Sequence, residues 1–373
     1  MTETRVSLHP DTPALVIDEQ SMQWNILGMA GVAGSREIAL RPHVKTHKIP
    51  SIARRQLRAG AAGITVAKAS EAEVMADGGI EDIFIAYPLV TETKIRRALG
   101  LARRGVRMIL GVDSMRGARL MSSLAREEGV TVEVRLEVDS GLGRTGVPRG
   151  EAAALSEEIS ALENLDLTGI YTYRGAVLDD GSPTLDLEEA GRLEGEFMVS
   201  VAEEIREVGV PVEDVSLGST PTAEHAAKVD GVTEIRPGTY VFYDRMQAAL
   251  GVCSLSDCAL RVVATIVSRP RPDLAIIDGG SKTFATDVQP SVAPLNLAGF
   301  GHVVGHPDAV LQRVTEEHGM LSVGEDSDLG VGDVVEIIPN HVCSTVNLHD
   351  EVYMQAADGS GERVGVAARG MVR

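Results

Sequence analysis

Residues 41–48 read Arg-Pro-His-Val-Lys-Thr-His-Lys, and the reading of this run decides the fold. As the end of a strand over 37–45, its period of two puts Arg41, His43 and Lys45 on one face and Leu40, Pro42 and Val44 on the other. A basic face ending in a lysine is a poor core surface and suits a site for an anionic cofactor. Short aliphatic stretches follow at 63–67, 82–87, 107–112, 131–138, 167–173, 213–218 and 233–241. Amphipathic runs at 52–59, 70–77, 92–104, 115–128, 151–163 and 187–208 separate them. Strands alternating with helices, eight strands in all, are the rhythm of an α/β fold of the (β/α)8 TIM-like barrel type. A doubly wound open sheet is the rival, but no G-x-G-x-x-G turn follows the first strand.

The rhythm changes after residue 245. Stretches at 258–270, 274–278, 320–323, 333–338 and 352–355 read as strands, punctuated by Pro270-Arg271-Pro272, Asp278-Gly279-Gly280 and Gly330-Val331-Gly332-Asp333. The expected organisation is a barrel over 12–245 and a C-terminal all-β domain over 246–373, with a candidate extra strand at 5–8 in residues 1–11.

A chain of 373 residues with 44% apolar side chains has room for both. Only 3% are aromatic, so the core is aliphatic. Thirty-five basic against 54 acidic residues leave a net charge of −19, which argues against nucleic acid and anionic membrane as partners. Salt adaptation is one reading of this acidity; an ordinary soluble enzyme is the simpler one. No 18-residue apolar run and no signal-peptide pattern are present. Three cysteines, Cys253, Cys258 and Cys343, fit a reducing, cytoplasmic setting better than a disulfide framework.

Barrel chemistry gathers at the C-terminal ends of the strands, where Lys45 falls on the first. A lysine there can form a Schiff base with pyridoxal 5'-phosphate (PLP) and then act as a base. Arg41, His43, Lys48 and Lys68 compete for that role, and a solvated strand-end lysine is the bland alternative. Three loops add weight. Asp139–Gly146 follows the fifth strand, with glycines for close approach and Arg144 to donate to an oxyanion. Gly218-Ser219-Thr220-Pro221-Thr222 follows the seventh, where amide groups can cradle a phosphate. Arg236-Pro237-Gly238-Thr239-Tyr240 lies on the eighth.

With Gly63–Lys68, Ala86–Val90, Val138–Gly146, Glu316–Gly319 and Pro339-Asn340-His341-Val342-Cys343 added, the chain resembles the D-threonine aldolase and D-serine dehydratase family. The resemblance runs from Asp11 into the C-terminal domain. It implies the alanine racemase-like architecture, PLP fold type III, and a PLP-dependent lyase acting on D-β-hydroxy amino acids. It further implies that Lys45 is the Schiff-base lysine and that Arg144 bonds the cofactor's phenolic oxygen. Ser219, Thr220, Gly238 and Thr239 would hold the phosphate, with Tyr240 beside them. Arg236 would face the pyridine nitrogen, and Tyr171 and Tyr173 would project near the cofactor. A homodimer is also implied.

His341 and Cys343 are two apart on what reads as a strand, so they point the same way. An imidazole and a thiolate suit zinc, with manganese or magnesium as alternatives. In the resembling family an H-x-C pair goes with dehydratases and a carboxylate at the second position with aldolases. Cys343 therefore favours a dehydratase of the D-serine or D-threo-3-hydroxyaspartate type, giving a 2-oxo acid and ammonia. The alternative is a D-threonine aldolase, giving glycine and an aldehyde. A racemase would need a second base on the opposite cofactor face, and a non-catalytic PLP-holding barrel would lack the metal pair and the β domain.

Overall fold

Ala14-Leu15-Val16-Ile17-Asp18 is a short apolar run, and such a run does not say which sheet it joins. In the computed structural model, which describes residues 6–7 and 10–373, this run is strand β2 (Ala14–Asp18), preceded by β1 (Val6–Ser7). Both belong to the sheet of the C-terminal part: β2 pairs antiparallel with residues 260–263 and parallel with residues 353–355. This corrects the expectation that the barrel starts at residue 12. The candidate strand at 5–8 is present as β1, while Arg5 and Leu8 lie outside the described residues. The chain forms two units. One takes the N-terminal residues up to Ile26, Thr46–Lys48 and Thr239–Gly370; the other takes Leu27–Lys45, Ile49–Gly238 and Met371–Arg373. Helix α1 (Glu19–Gly34) runs from the first into the second.

The second unit is the barrel. Its first half is β3 (Ala39–Leu40), α2 (Pro50–Arg58), β4 (Ile64–Val66), α3 (Ala69–Asp77), β5 (Asp82–Pro88), α4 (Glu92–Arg103) and β6 (Arg107–Val112). Then come α5 (Met115–Glu128), β7 (Val132–Glu137), α6 (Arg149–Ser160), β8 (Leu165–Tyr171), α7 (Leu187–Glu207), β9 (Asp214–Leu217), α8 (Ala223–Ala226) and β10 (Glu234–Ile235). Local chemistry sets the helix ends: the Ser114 side chain accepts from Gly117 N, Asp186 accepts from Glu189 N, and Gly129 closes α5 at φ 68°. The eight strands are parallel in the order β3-β10-β9-β8-β7-β6-β5-β4. A parallel bridge between His43 and Thr65, and a 2.9 Å bond from Ala62 N to Leu40 O, join the two ends of that path and close the ring.

Two strands are shorter than the sequence suggests. Pro42 and Pro237 have no N–H for the ladder, and each follows an arginine just past a strand end. β3 stops at Leu40 and the chain turns into a 3-10 helix over Val44–Thr46; β10 stops at Ile235 and another 3-10 helix follows over Thr239–Val241. Arg41, His43 and Lys45 therefore do not share a strand face, contrary to the alternation read from the sequence.

The first unit continues through α9 (Arg245–Ala249), β11 (Leu260–Arg271), β12 (Leu274–Ile277), β13 (Gly301–Val303), β14 (Val310–Val314), β15 (Gly319–Ser322) and β16 (Val334–Pro339). It ends with α10 (Val342–Val346), β17 (Glu351–Gln355) and β18 (Ser360–Gly365). The long β11 is its centre, pairing with β2, β12 and β16. No described helix is long and apolar enough to cross a membrane.

The barrel floor, at the N-terminal ends of its strands, is ionic. Arg41 does not line a cofactor site: its Nε donates to Glu234 Oε2 at 2.7 Å, and its guanidinium also pairs with Asp82. Arg135 Nη1 donates to Glu234 Oε1 at 2.6 Å and Nη2 to Asp214 Oδ2 at 2.7 Å. Ser216 Oγ adds a bond to Glu234 Oε1 at 2.5 Å. Burial alone would push the Glu234 carboxyl up, but Arg41 and Arg135 outweigh it and hold it at about 2. Removing one partner of such a buried cluster strands the others, so Glu234→Gln is expected to destabilise the protein by about 3–5 kcal/mol in chemical denaturation. Glu133→Gln, which touches the half-exposed Arg107, is expected to cost less than about 1 kcal/mol. The Glu234 contribution is fully present above the ordinary carboxylate range and is lost as pH falls toward 2, so the two variants and the parent should converge in acid.

Candidate active site

At the mouth of the barrel, Lys45 sits in its 3-10 turn with Nζ 5.5 Å from the centre of the Tyr173 ring. Arg144 places its guanidinium carbon 5.0 Å from the same ring. Two cations thus share one aromatic ring. The Arg144 loop is shaped locally: Asp139 Oδ1 accepts from Gly141 N at 3.0 Å and Gly143 N at 3.1 Å. A Cβ at Gly146, φ 99°, would come within 2.6 Å of Asp139 N, so only glycine fits there. Glu137, at the end of β7, accepts from Thr145 Oγ1 at 2.7 Å and from the Tyr171 hydroxyl at 3.0 Å. Burial pushes the Glu137 carboxyl above its ordinary range.

Tyr171 thus commits its hydroxyl to Glu137. It is a core residue, edge-on to Phe84 at 5.0 Å, with burial raising its pKa well above the ordinary value. Tyr171 is the last residue of β8 and is buried, while Tyr173 lies past the strand end, where the alternation no longer holds, and is exposed. Arg236 is buried as well. Its Nη1 donates to Ser216 Oγ and its Nη2 to Thr172 O, both at 2.5 Å, and it packs 5.3 Å from the Tyr171 ring. Burial pulls its pKa down, yet an arginine keeps its charge. Ser216 thus links Arg236 to Glu234 on the floor.

After β9, Gly218 takes φ +82° and opens a tight turn. Ser219 N and Oγ lie 3.2 and 2.9 Å from Thr222 Oγ1, and Ser219 and Thr220 are buried. Behind the turn, Glu194 of α7 accepts from Arg174 N at 3.0 Å and from Thr222 Oγ1 at 3.4 Å. Burial pushes the Glu194 carboxyl up to about 7. Gly238 leads into the 3-10 turn that holds Thr239 and the buried Tyr240.

In the β-rich unit, His341 is not on a strand with Cys343. β16 ends at Pro339, and His341 is the N-cap of α10, with Cys343 in the helix's first turn. His341 has an extended backbone, φ −136° and ψ 109°, and its side chain interacts electrostatically with Cys343. The pairing expected from a strand is reached through a cap instead. His341 Nδ1 lies 2.5 Å from Asp287 Oδ2, which also accepts from Ser344 Oγ at 3.0 Å. Cys343 Sγ lies 3.1 Å from Thr46 Oγ1 and 3.6 Å from Thr239 Oγ1, so the Thr239 hydroxyl faces the sulfur. Asp244, fully buried, accepts from Val342 N at 3.0 Å and is pushed up to about 6 by burial. Burial would lower the His341 pKa, but Cys343, Asp287 and Asp244 together raise it to about 11. Among the described residues, no three His, Cys, Asp or Glu side chains converge on one metal position.

Thr46, Thr222, Glu194, Asp244 and Asp287 were not singled out by the sequence. Thr46 lies inside the 41–48 run and Thr222 inside the Gly-Ser-Thr-Pro-Thr turn, so both carried a signal. Asp287 lies 54 residues from its histidine in an irregular stretch, and nothing local marks it. The donors fit the groups that the resemblance implies. An amine and a guanidinium on one aromatic ring, with a buried hydroxyl turn opened by a positive-φ glycine, suit an anionic aldehyde such as PLP. A contacting imidazole–thiol pair suits a borderline-soft divalent metal with an open coordination sphere.

Comparison with known proteins gives the following. The sequence pattern of the alanine racemase N-terminal domain matches residues 17–246, and that of the serine dehydratase domain matches 259–355. The chain is 35% identical to the D-threo-3-hydroxyaspartate dehydratase of Delftia sp. (strain HT23), over 96% of this chain and 97% of that protein. The solved structure of that dehydratase superposes with a TM-score of 0.88 at 34% identity, covering 97% of this chain and 99% of the other. A variant of it with a cysteine changed to alanine has been solved in a metal-free form. The chain is also 32% identical to a D-threonine aldolase of Arthrobacter sp., over 97% of this chain and 94% of that one.

The buried Glu194 yields a pH signature. Its folded pKa is raised, so folding favours the protonated form, and stability falls as pH rises from the ordinary carboxylate range through about 7. The loss levels off above that at roughly 3 kcal/mol, from about 1.4 kcal/mol per pKa unit. Glu194→Gln is expected to flatten this stretch of the stability–pH curve, measured by urea denaturation between pH 5 and 8.

Proposed function

Because the chain belongs to the alanine racemase-like family whose barrel is joined to a serine dehydratase domain, we propose that it dehydrates D-β-hydroxy amino acids to a 2-oxo acid and ammonia. Its class is settled by kinship: it is an enzyme, a PLP-dependent lyase. The observation that carries the dehydratase reading over the aldolase reading is a thiol, Cys343, in the first turn of the helix that His341 caps.

PLP, when bound, supplies an electron sink for the charge that develops at Cα. A divalent metal, when bound, supplies Lewis-acid help to the departing hydroxyl. The remaining work falls to side chains of this chain. Lys45 would hold the cofactor through its amine, and the same amine, when free, would serve as the base that takes the proton from Cα. Tyr173 lies under that amine and under Arg144, and so holds both cations at the mouth. Arg144 donates to the phenolic oxygen. Ser219 and Thr220, with the amides of Gly238 and Thr239, take the phosphate. Arg236 carries only donors and cannot release a proton, so it holds the pyridine nitrogen by a hydrogen bond and leaves it uncharged. His341 and Cys343 take the metal, zinc in the first instance. Substrates of the D-serine and D-threo-3-hydroxyaspartate type fit this reading, the latter being what the Delftia relative is named for. A homodimer belongs to the same reading.

The test is a product assay. The protein loaded with PLP and zinc is given D-serine, D-threonine and D-threo-3-hydroxyaspartate, and 2-oxo acid, ammonia, glycine and aldehyde are measured together. Oxo acid and ammonia in equal amounts are expected. Lys45→Ala should lower kcat on the order of 10³-fold, and EDTA or Cys343→Ala should remove the metal-dependent part. Glycine with aldehyde would establish an aldolase instead.

A further inference from the structure

We infer that Asp287 is a positioning residue of the metal pair: its carboxylate fixes the ring of His341 so that Nε2 is the nitrogen presented to the metal. The inference rests on the metal reading above and deepens it.

The argument is geometric. A carboxylate accepts and does not donate, so at 2.5 Å the Nδ1 of His341 must carry the proton and give it to Asp287 Oδ2. The Nδ1 proton stays with Asp287, so Nε2 is the nitrogen that gives up its proton when a metal binds and becomes the ligand. The carboxylate is itself held, by Ser344 Oγ at 3.0 Å. The two segments are further tied on either side of this contact. Asn340 Nδ2 donates to Val288 O at 3.3 Å and to Gly299 O at 2.9 Å, and Ala285 N donates to Thr345 Oγ1 at 3.3 Å. Residues 285–288 are thus fastened along 340–345 by bonds that need no metal.

A ring free to rotate at a half-buried N-cap would lose rotational freedom on ligation; a ring already fixed does not. With only two protein ligands, that pre-organisation bears directly on affinity. A carboxylate that holds the far nitrogen of a ligating histidine is worth about 10–100-fold in metal affinity.

The measurement is zinc affinity of the purified, PLP-loaded full chain, by competition with a chromophoric chelator. It is run on the parent, Asp287→Ala, Asp287→Asn and His341→Ala, with melting temperature and PLP absorbance as controls. The parent should bind one zinc and His341→Ala none. Asp287→Ala should weaken zinc by about 10–100-fold with unchanged melting and PLP absorbance, and Asp287→Asn should lie between. Histidine-ring NMR gives a readout that a packing role would not move: the Nδ1-protonated, Nε2-ligated form in the zinc-bound parent and a mixture of ligated nitrogens in Asp287→Ala. Unchanged affinity and an unchanged ring signal in Asp287→Ala would overturn the inference while leaving the metal pair standing. No zinc bound by the parent would overturn the metal reading and this inference with it. If Asp287→Ala does not fold, Asp287→Asn decides by the same two readouts.

Discussion

The barrel depends on the ionic cluster around Glu234. β3 and β10 are two residues long each, so the ring is closed where it has fewest ladder bonds. Glu234 stands in that weak sector and is held by Arg41 from the neighbouring strand segment and by Arg135 from β7 across the interior. A parallel ladder between two-residue strands is a modest tie; a buried carboxylate shared by two guanidiniums strongly penalises any opening that would separate them. The cluster also reaches upward. Ser216 accepts from Arg236 and donates to Glu234, so the arginine assigned to the cofactor ring stands on the same polar column as the floor.

The same weak sector holds residues of the proposed site, and two prolines explain both. Arg41-Pro42 and Arg236-Pro237 each end a strand because proline has no N–H to continue it. The chain then has slack to form a 3-10 turn, and those turns present Lys45 in one case and Thr239 and Tyr240 in the other. Short strands are thus the means by which main chain is freed for a site, with the ionic floor offsetting the lost ladder bonds.

The metal pair shows a related economy. His341 and Cys343 sit on either side of a helix start, where the cap residue has extended backbone and the next residues are helical. Asp244 accepts from Val342 N, so the residue between the two proposed ligands is fixed by a buried carboxylate, while Asp287 lies 2.5 Å from the imidazole. The thiol is held in turn by the Thr46 and Thr239 hydroxyls. Each side chain of the pair has its own neighbours, and none of these neighbours adjoins its partner in sequence.

The sequence by itself determined the barrel, the β-rich C-terminal part, and the identity of the residues assigned to chemistry. Periodicity survives in any window long enough to bury one face, which is why the α5 range 115–128 was legible to the residue. Motifs such as Asp139–Gly146 were legible because their geometry is set by their own glycines and by Asp139. Only the tertiary structure decided that residues 14–18 pair with β11 and β17, that Arg41 is a floor residue, that Tyr173 rather than Tyr171 meets Lys45, and that Asp287 meets His341. The physical reason is common to all four. A five-residue apolar run, a buried arginine, an inward tyrosine and an exposed aspartate each have a local pattern compatible with several partners. Partners 54 or 193 residues away are chosen by packing, which no local spacing encodes.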